Sequence, residues 1–168
     1  QLVPVPSAGP LFRARSAAAG RPVMLLGHLD TVWPLGTLAA RPLRVEGDRL
    51  FGPGAFDMKG GLVVALFALR ALRARGPLPP VSLFFTSLEE VDCEPYRAVM
   101  EAAMTASAAV LAFEPAWPGG AVKTGRKGSG SFLLRARGRA AHAGADFDQG
   151  KNAILELARK ALEVSALT

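Results

Sequence analysis

The chain has 168 residues, a formal charge of +6, 50% hydrophobic and 20% charged residues, and a single cysteine, Cys93. That is the composition of a globular chain long enough to bury a core, not of a disordered or fibrous one. One cysteine excludes a disulfide framework or a cysteine metal site within one chain, and no stretch approaches the roughly 20 apolar residues of a membrane span.

The positive balance hints at acidic partners, but the arginines are spread through helix-like stretches such as "LRALRARG" and "LLRARGRAA". Without an aromatic-interleaved basic cluster, no nucleic-acid partner is expected, nor a membrane one. The opening "QLVPVPSAGPLF" has no charged leader and three prolines in its first ten residues, so no signal peptide is expected, and with one cysteine a reducing, cytoplasmic setting fits best.

In chain order, residues 1–20 read as a weakly ordered lead-in or an edge strand. "RPVMLLGH" (21–28) is an apolar run closed by glycine, the pattern of a buried strand. "LRVEGDRLFGPG" (43–54) reads as two short extended pieces around Gly47-Asp48, a hairpin. Between Met58 and Arg75, Leu62, Ala65, Leu66, Leu69 and Leu72 recur at helical spacing, and Gly76-Pro77 stops the helix. "PVSLFFTS" (80–87) predicts a second buried strand, "PYRAVMEAAM" (95–104) a helix with proline in its first turn, and "AAVLAFEP" (108–115) a third buried strand. "GGAVKTGRKGSGSF" (119–132) is glycine-rich, "SFLLRARGRAA" (131–141) suggests an exposed strand, and "NAILELARKALEVSAL" (152–167) an amphipathic helix. The alternation of strands and helices implies an α/β fold with a mostly parallel sheet and flanking helices, followed by the start of a second domain near Gly125.

In such a sheet, ligands collect beyond the carboxyl ends of the strands. The predicted strand ends carry His28 with Asp30, Glu89 with Glu90, and Glu114, while Asp57 precedes the long helix. Each has a commoner bland reading: a hydrogen-bonded imidazole, a solvated glutamate pair, a helix-capping aspartate, a turn. Together they bring five carboxylates and one imidazole to a single edge, where mutual repulsion favours a divalent cation. Histidine with carboxylates and no thiolate suits zinc, manganese or cobalt in a hydrolytic site. Of two adjacent glutamates, one can bind metal while the other acts as general base. "GPGAFDMKGG" lacks the ending of a phosphate loop, "KGSGS" lacks the strand-elbow-helix setting of a nucleophilic serine, and Cys93 has no local histidine partner.

"GHLDTV", "GPGAFDMKGG", "TSLEEVD", "FEP" and "GRAAHAGADFDQGKNAI" resemble, in order and spacing, the motifs of the zinc-dependent carboxypeptidase, aminoacylase and desuccinylase family, over roughly residues 22–160. "GGAVKTGRKGSGSF" leans towards its glutamate carboxypeptidases. The resemblance implies an α/β catalytic domain with two metal ions (Zn2+, with Co2+ or Mn2+ as alternatives) and an inserted α+β lid that dimerises. Residues 1–124 would be part of the catalytic domain and 125–168 the beginning of the lid.

By the same resemblance His28, Asp57 and Glu114 would ligate one metal, with Asp57 bridging to a second held by Glu90. Glu89 would be the general base, and Asp30 would orient His28. His142 would reach the partner subunit's site to steady the oxyanion. The implied reaction is hydrolysis of a small peptide or N-acyl amino acid, in a homodimer. The family's second metal takes a histidine from a later segment, and none follows His142. The chain is therefore expected to be a fragment, and a non-catalytic remnant binding one metal ion or an oligomeric partner is the alternative.

Overall fold

The computed structural model describes every residue except Ser7, Ser129 and Thr168. The chain divides into two compact units, Gln1–Lys123 and Thr124–Thr168. In the first, β1 (Leu2–Val3) and β2 (Leu11–Arg15) lead to β3 (Val23–His28), a four-residue helix α1 (Thr37–Ala40), and a hairpin of β4 (Arg44–Glu46) and β5 (Arg49–Phe51). A wide turn over Ala55–Lys59 opens α2 (Gly60–Arg75); β6 (Val81–Thr86), α3 (Arg97–Thr105) and β7 (Ala109–Ala112) complete the unit. The hairpin turns at Gly47, whose φ of 62° lies in the left-handed region that glycine tolerates.

The main sheet has the order β1-β2-β6-β3-β7. β3 pairs in parallel with β6, from Val23 opposite Val81 to His28 opposite Thr86, and in parallel with β7 on its other side. β2 runs antiparallel to β6, and β1 antiparallel to β2. The chain steps from β3 to β6 in one direction and from β6 back past β3 to β7 in the other. Right-handed crossovers in opposite directions put their helices on opposite faces, and the packing obeys this. Met24 and Phe84 bury with Leu11 and Tyr96 against Val99, Met100 and Ala103 of α3. Their neighbours Leu25 and Phe85 turn to the other face, against Ala65 and Leu62 of α2. This two-residue alternation turns continuous apolar runs into strands covered on both faces.

α2 sits close to the sheet because Gly61 has no side chain: a Cβ there would run into the backbone carbonyl oxygen of Phe113, just past β7. Gly61→Ala is expected to destabilise the chain by about 1–3 kcal/mol despite alanine's better helix propensity. Urea unfolding checks this, and an unchanged midpoint would show that the contact yields freely.

Two expectations need correction. The run 108–115 reads as a buried strand, but β7 forms the edge of the sheet and Leu111 is 50% exposed. Composition records apolarity, not position in the strand order. Residues 131–141 do not form a strand in the second unit. Apart from one bridge between Arg139 and Lys151, they find no ladder partner among the described residues, and Phe132 and Leu133 are exposed. That unit's regular element is α4 (Ala153–Ser165), capped by Asn152 Oδ1, which accepts the N–H groups of Ile154 and Leu155 at 3.0 and 3.1 Å.

Candidate metal centre

β3 lies between β6 and β7, where the crossovers change direction, so its carboxyl end is where an open α/β sheet leaves a crevice. His28 ends this strand with only 1% of its surface exposed. Its N–H donates to the Met58 sulfur at 3.0 Å, filling the place left where β7 pairs no further. The Leu29 N–H donates to Thr86 O at 2.8 Å, which continues the pairing with β6.

The imidazole has two distinct sides. Nδ1 lies 3.2 Å from the Asp30 carbonyl oxygen and 3.4 Å from its Oδ1. A carbonyl can only accept, so a neutral ring that keeps its proton on Nδ1 would leave the Nε2 lone pair free to ligate. Nε2 faces Asp57 Oδ1 at 3.2 Å, Glu114 Oε1 at 3.7 Å and Glu89 Oε2 at 4.0 Å.

The carboxylates arrive from four segments. Asp57 lies in the turn before α2, entered through Gly54 at φ 70°; the Asp57–Met58 peptide bond is cis. Glu89 and Glu90 follow β6, and Glu114 follows β7. Asp30 joins two of these segments: its Oδ2 accepts the Glu90 N–H at 2.9 Å, while its buried Oδ1 has no hydrogen bond among the described residues. Ligand atoms of His28, Asp57 and Glu114 lie within 4.8 Å of one another, as do those of His28, Glu89 and Glu90. The cluster thus brings together six of the seven predicted site residues. The seventh, His142, belongs to the second unit, where its Nδ1 accepts the N–H groups of Gly144 and Ala145, both at 3.1 Å. Its proton in the neutral form is therefore on Nε2.

Desolvation raises the Glu90 carboxyl above its ordinary range, with Asp57, Glu89 and Asp30 adding to the effect and His28 opposing it. Desolvation also raises Glu114, opposed by His28 and reinforced by Asp57 and Glu89. The Cys93 thiol is pushed up by burial and by Glu89, which makes it a poor nucleophile at neutral pH. Among the described residues, no lysine or arginine side chain forms an ion pair with any of these carboxylates. Carboxylates gathered this closely around one imidazole, without a lysine or arginine paired to them among the described residues, repel one another unless a cation lies between them. The donor set of one imidazole and several carboxylate oxygens fits a borderline or hard divalent ion.

Two contacts in this centre carry no signal in a single sequence. The Met58 sulfur caps His28, and Lys59 Nζ donates to Leu29 O at 2.6 Å. The adjacency of Met58 and Lys59 to Asp57 is the only hint.

Fold and cluster together define a candidate metal-binding α/β protein with its site at the topological switch point. The chain belongs to Peptidase family M20/M25/M40, whose sequence profile matches residues 24–164. It is 35% identical over 140 residues to carboxypeptidase G2 of Pseudomonas sp. (strain RS-16), covering 82% of this chain and 34% of that protein. With the succinyl-diaminopimelate desuccinylase of Dechloromonas aromatica (strain RCB) it shares 32% identity over 166 residues, 91% of this chain and 44% of the relative. The crystal structure of human carnosine dipeptidase 1 shares the fold, with a TM-score of 0.55 and 21% identity over 68% of this chain and 27% of that one. The chain thus spans less than half the length of each of these relatives. Among the described residues, no helix is long and apolar enough to cross a membrane.

Proposed function

We propose that this chain contributes to a metal-dependent hydrolase of amide bonds, a carboxypeptidase or N-acyl amino acid amidohydrolase. In this reading His28, Asp57 and Glu114 would hold one Zn2+, and Glu90 together with Asp57 would hold a second; Co2+ or Mn2+ would suit the same donors. The observation that carries it is the His28 Nε2 atom turned to three carboxylates that, among the described residues, have no lysine or arginine paired to them. The names of the relatives, a carboxypeptidase and a desuccinylase, support a substrate of peptide or N-acyl amino acid type.

When bound, the metal supplies Lewis acidity and a lowered pKa for the attacking water. Glu89 takes the proton of that water and returns it to the leaving amine. Asp30 keeps the His28 proton on Nδ1, so that Nε2 stays a ligand atom. His142, with its proton on Nε2, is suited to donate to the oxyanion that forms at the scissile carbonyl. It would do so across a homodimer, with residues 1–124 part of the catalytic domain and 125–168 the start of the dimerising lid. A cytoplasmic setting suits the single cysteine.

The test is hydrolysis of N-acyl amino acids and C-terminal glutamyl amides by the purified chain. Activity is expected to vanish with a chelator and return with added Zn2+. Chelator-insensitive turnover would overturn the metal mechanism. Zinc binding without turnover would overturn the hydrolase and leave a cation-binding remnant.

A further inference from the structure

The candidate centre is assembled from motifs about thirty residues apart, and the contacts that join them lie behind the carboxylates. The segment 28–30 is joined to 89–90 by the Asp30 carboxylate, whose Oδ2 accepts the Glu90 N–H at 2.9 Å. It is joined to 57–59 by Lys59, whose ammonium donates to the Leu29 carbonyl oxygen at 2.6 Å. The Leu29 N–H is already spent on Thr86 O at 2.8 Å, so both polar groups of this one residue are fixed from opposite directions. Lys59 is itself anchored at the start of α2, its N–H donating to Gly54 O at 3.0 Å.

We propose that Lys59 is a positioning residue of this centre: through the Leu29 carbonyl it holds the turn that aims Asp30 at both His28 and the Glu90 amide. The proposal rests on the metal-binding reading above and adds a residue that touches none of the proposed ligand atoms. Leu29 is 40% exposed, so water could satisfy its carbonyl; the charge-assisted bond to Lys59 is not needed to avoid a buried unpaired group. What it adds is direction. Without it the 29–30 turn is tied, among the described residues, only by the Leu29 N–H and by Asp30's own contacts, and the Asp30 carbonyl and carboxylate are free to drift from Nδ1 and from Glu90.

Charge and position make opposite predictions, which gives the test its sign. Removing a cation two residues from Asp57 should, by Coulomb's law alone, tighten binding of a divalent cation. Removing a brace behind the ligands should loosen it, by about 10–100-fold for groups of this kind. The experiment measures Zn2+ affinity of the whole chain by competition with a chromophoric chelator for wild type, Lys59→Met and Lys59→Arg, with thermal unfolding in EDTA alongside.

The expected result is that Lys59→Met binds Zn2+ about tenfold or more weakly and Lys59→Arg recovers most of the loss. Both midpoints in EDTA should stay within about 2 °C of wild type. Equal or tighter binding by Lys59→Met would overturn the proposal while leaving the metal centre intact. A matching fall of the EDTA midpoint would also overturn it, making Lys59 a stabilising residue only. Failure of the wild-type chain to bind Zn2+ would overturn the metal-centre reading and this proposal with it.

Discussion

Glu89→Gln is expected to lower kcat for amide hydrolysis by about 10^2 to 10^4, the usual contribution of a positioned general base, while leaving zinc content unchanged. Two features separate Glu89 from the other carboxylates. It stands farthest from His28 Nε2 of the three that face it, at 4.0 Å. Its neighbour Glu90, and not Glu89 itself, has its backbone amide held by Asp30 Oδ2. Glutamine keeps the size and one acceptor oxygen of Glu89 but cannot take a proton from water. KM should therefore change little, because the loss falls on a step made only in the transition state. Glu90→Gln should do the reverse and reduce metal content. Loss of zinc in Glu89→Gln would make Glu89 a ligand. Full activity would make it an ordinary solvated glutamate and remove the proposed base.

The parts of this molecule that could be read from sequence are those in which one residue type answers to one local requirement. Val23–Leu26 is a continuous apolar run, and Val81–Phe85 is apolar apart from Ser82, because the strands they form are covered on both faces, by α2 on one side and α3 on the other. The Leu62, Ala65 and Leu69 spacing marks the face of α2 that meets the sheet. The convergence of Asp57 and Glu114 on His28 could be anticipated because all three fall at one edge of an α/β sheet.

What sequence did not reveal depends on partners. The Lys59 bond to Leu29, the Asp30 bond to the Glu90 amide and the Met58 sulfur on the His28 amide all end on backbone atoms, which carry no residue identity. "AAVLAFEP" has the same apolar character as the buried strands, yet β7 takes the edge because strand order is set by the crossovers and not by the strand. The run 131–141 has strand-forming residues but no ladder partner among the described residues. Helix α1, four residues long, is too short to show a period.

The second large effect is expected at His28. In wild type, a hundredfold excess of Zn2+ over its dissociation constant should stabilise the chain by about 2.7 kcal/mol, because the ion binds the folded state alone. In His28→Gln that zinc-dependent rise in melting temperature should disappear. Structural zinc sites gain about 10–16 kcal/mol from roughly four ligands, so loss of one corresponds to about a hundredfold or more in affinity. The bland alternative, in which His28 is a protonated imidazole neutralising its carboxylate neighbours, makes a different prediction. It would leave wild type indifferent to Zn2+ and place the whole cost of His28→Gln in the chelator-treated protein, where a buried side chain with contacts to Asp30, Asp57 and Glu114 has been lost. Glutamine suits this comparison because it can still donate to a carboxylate but lacks the imidazole nitrogen. A wild-type midpoint unmoved by Zn2+, together with a large fall for His28→Gln in EDTA, would decide for the ion pair. A zinc-dependent rise present in wild type and absent in the variant would decide for the ligand.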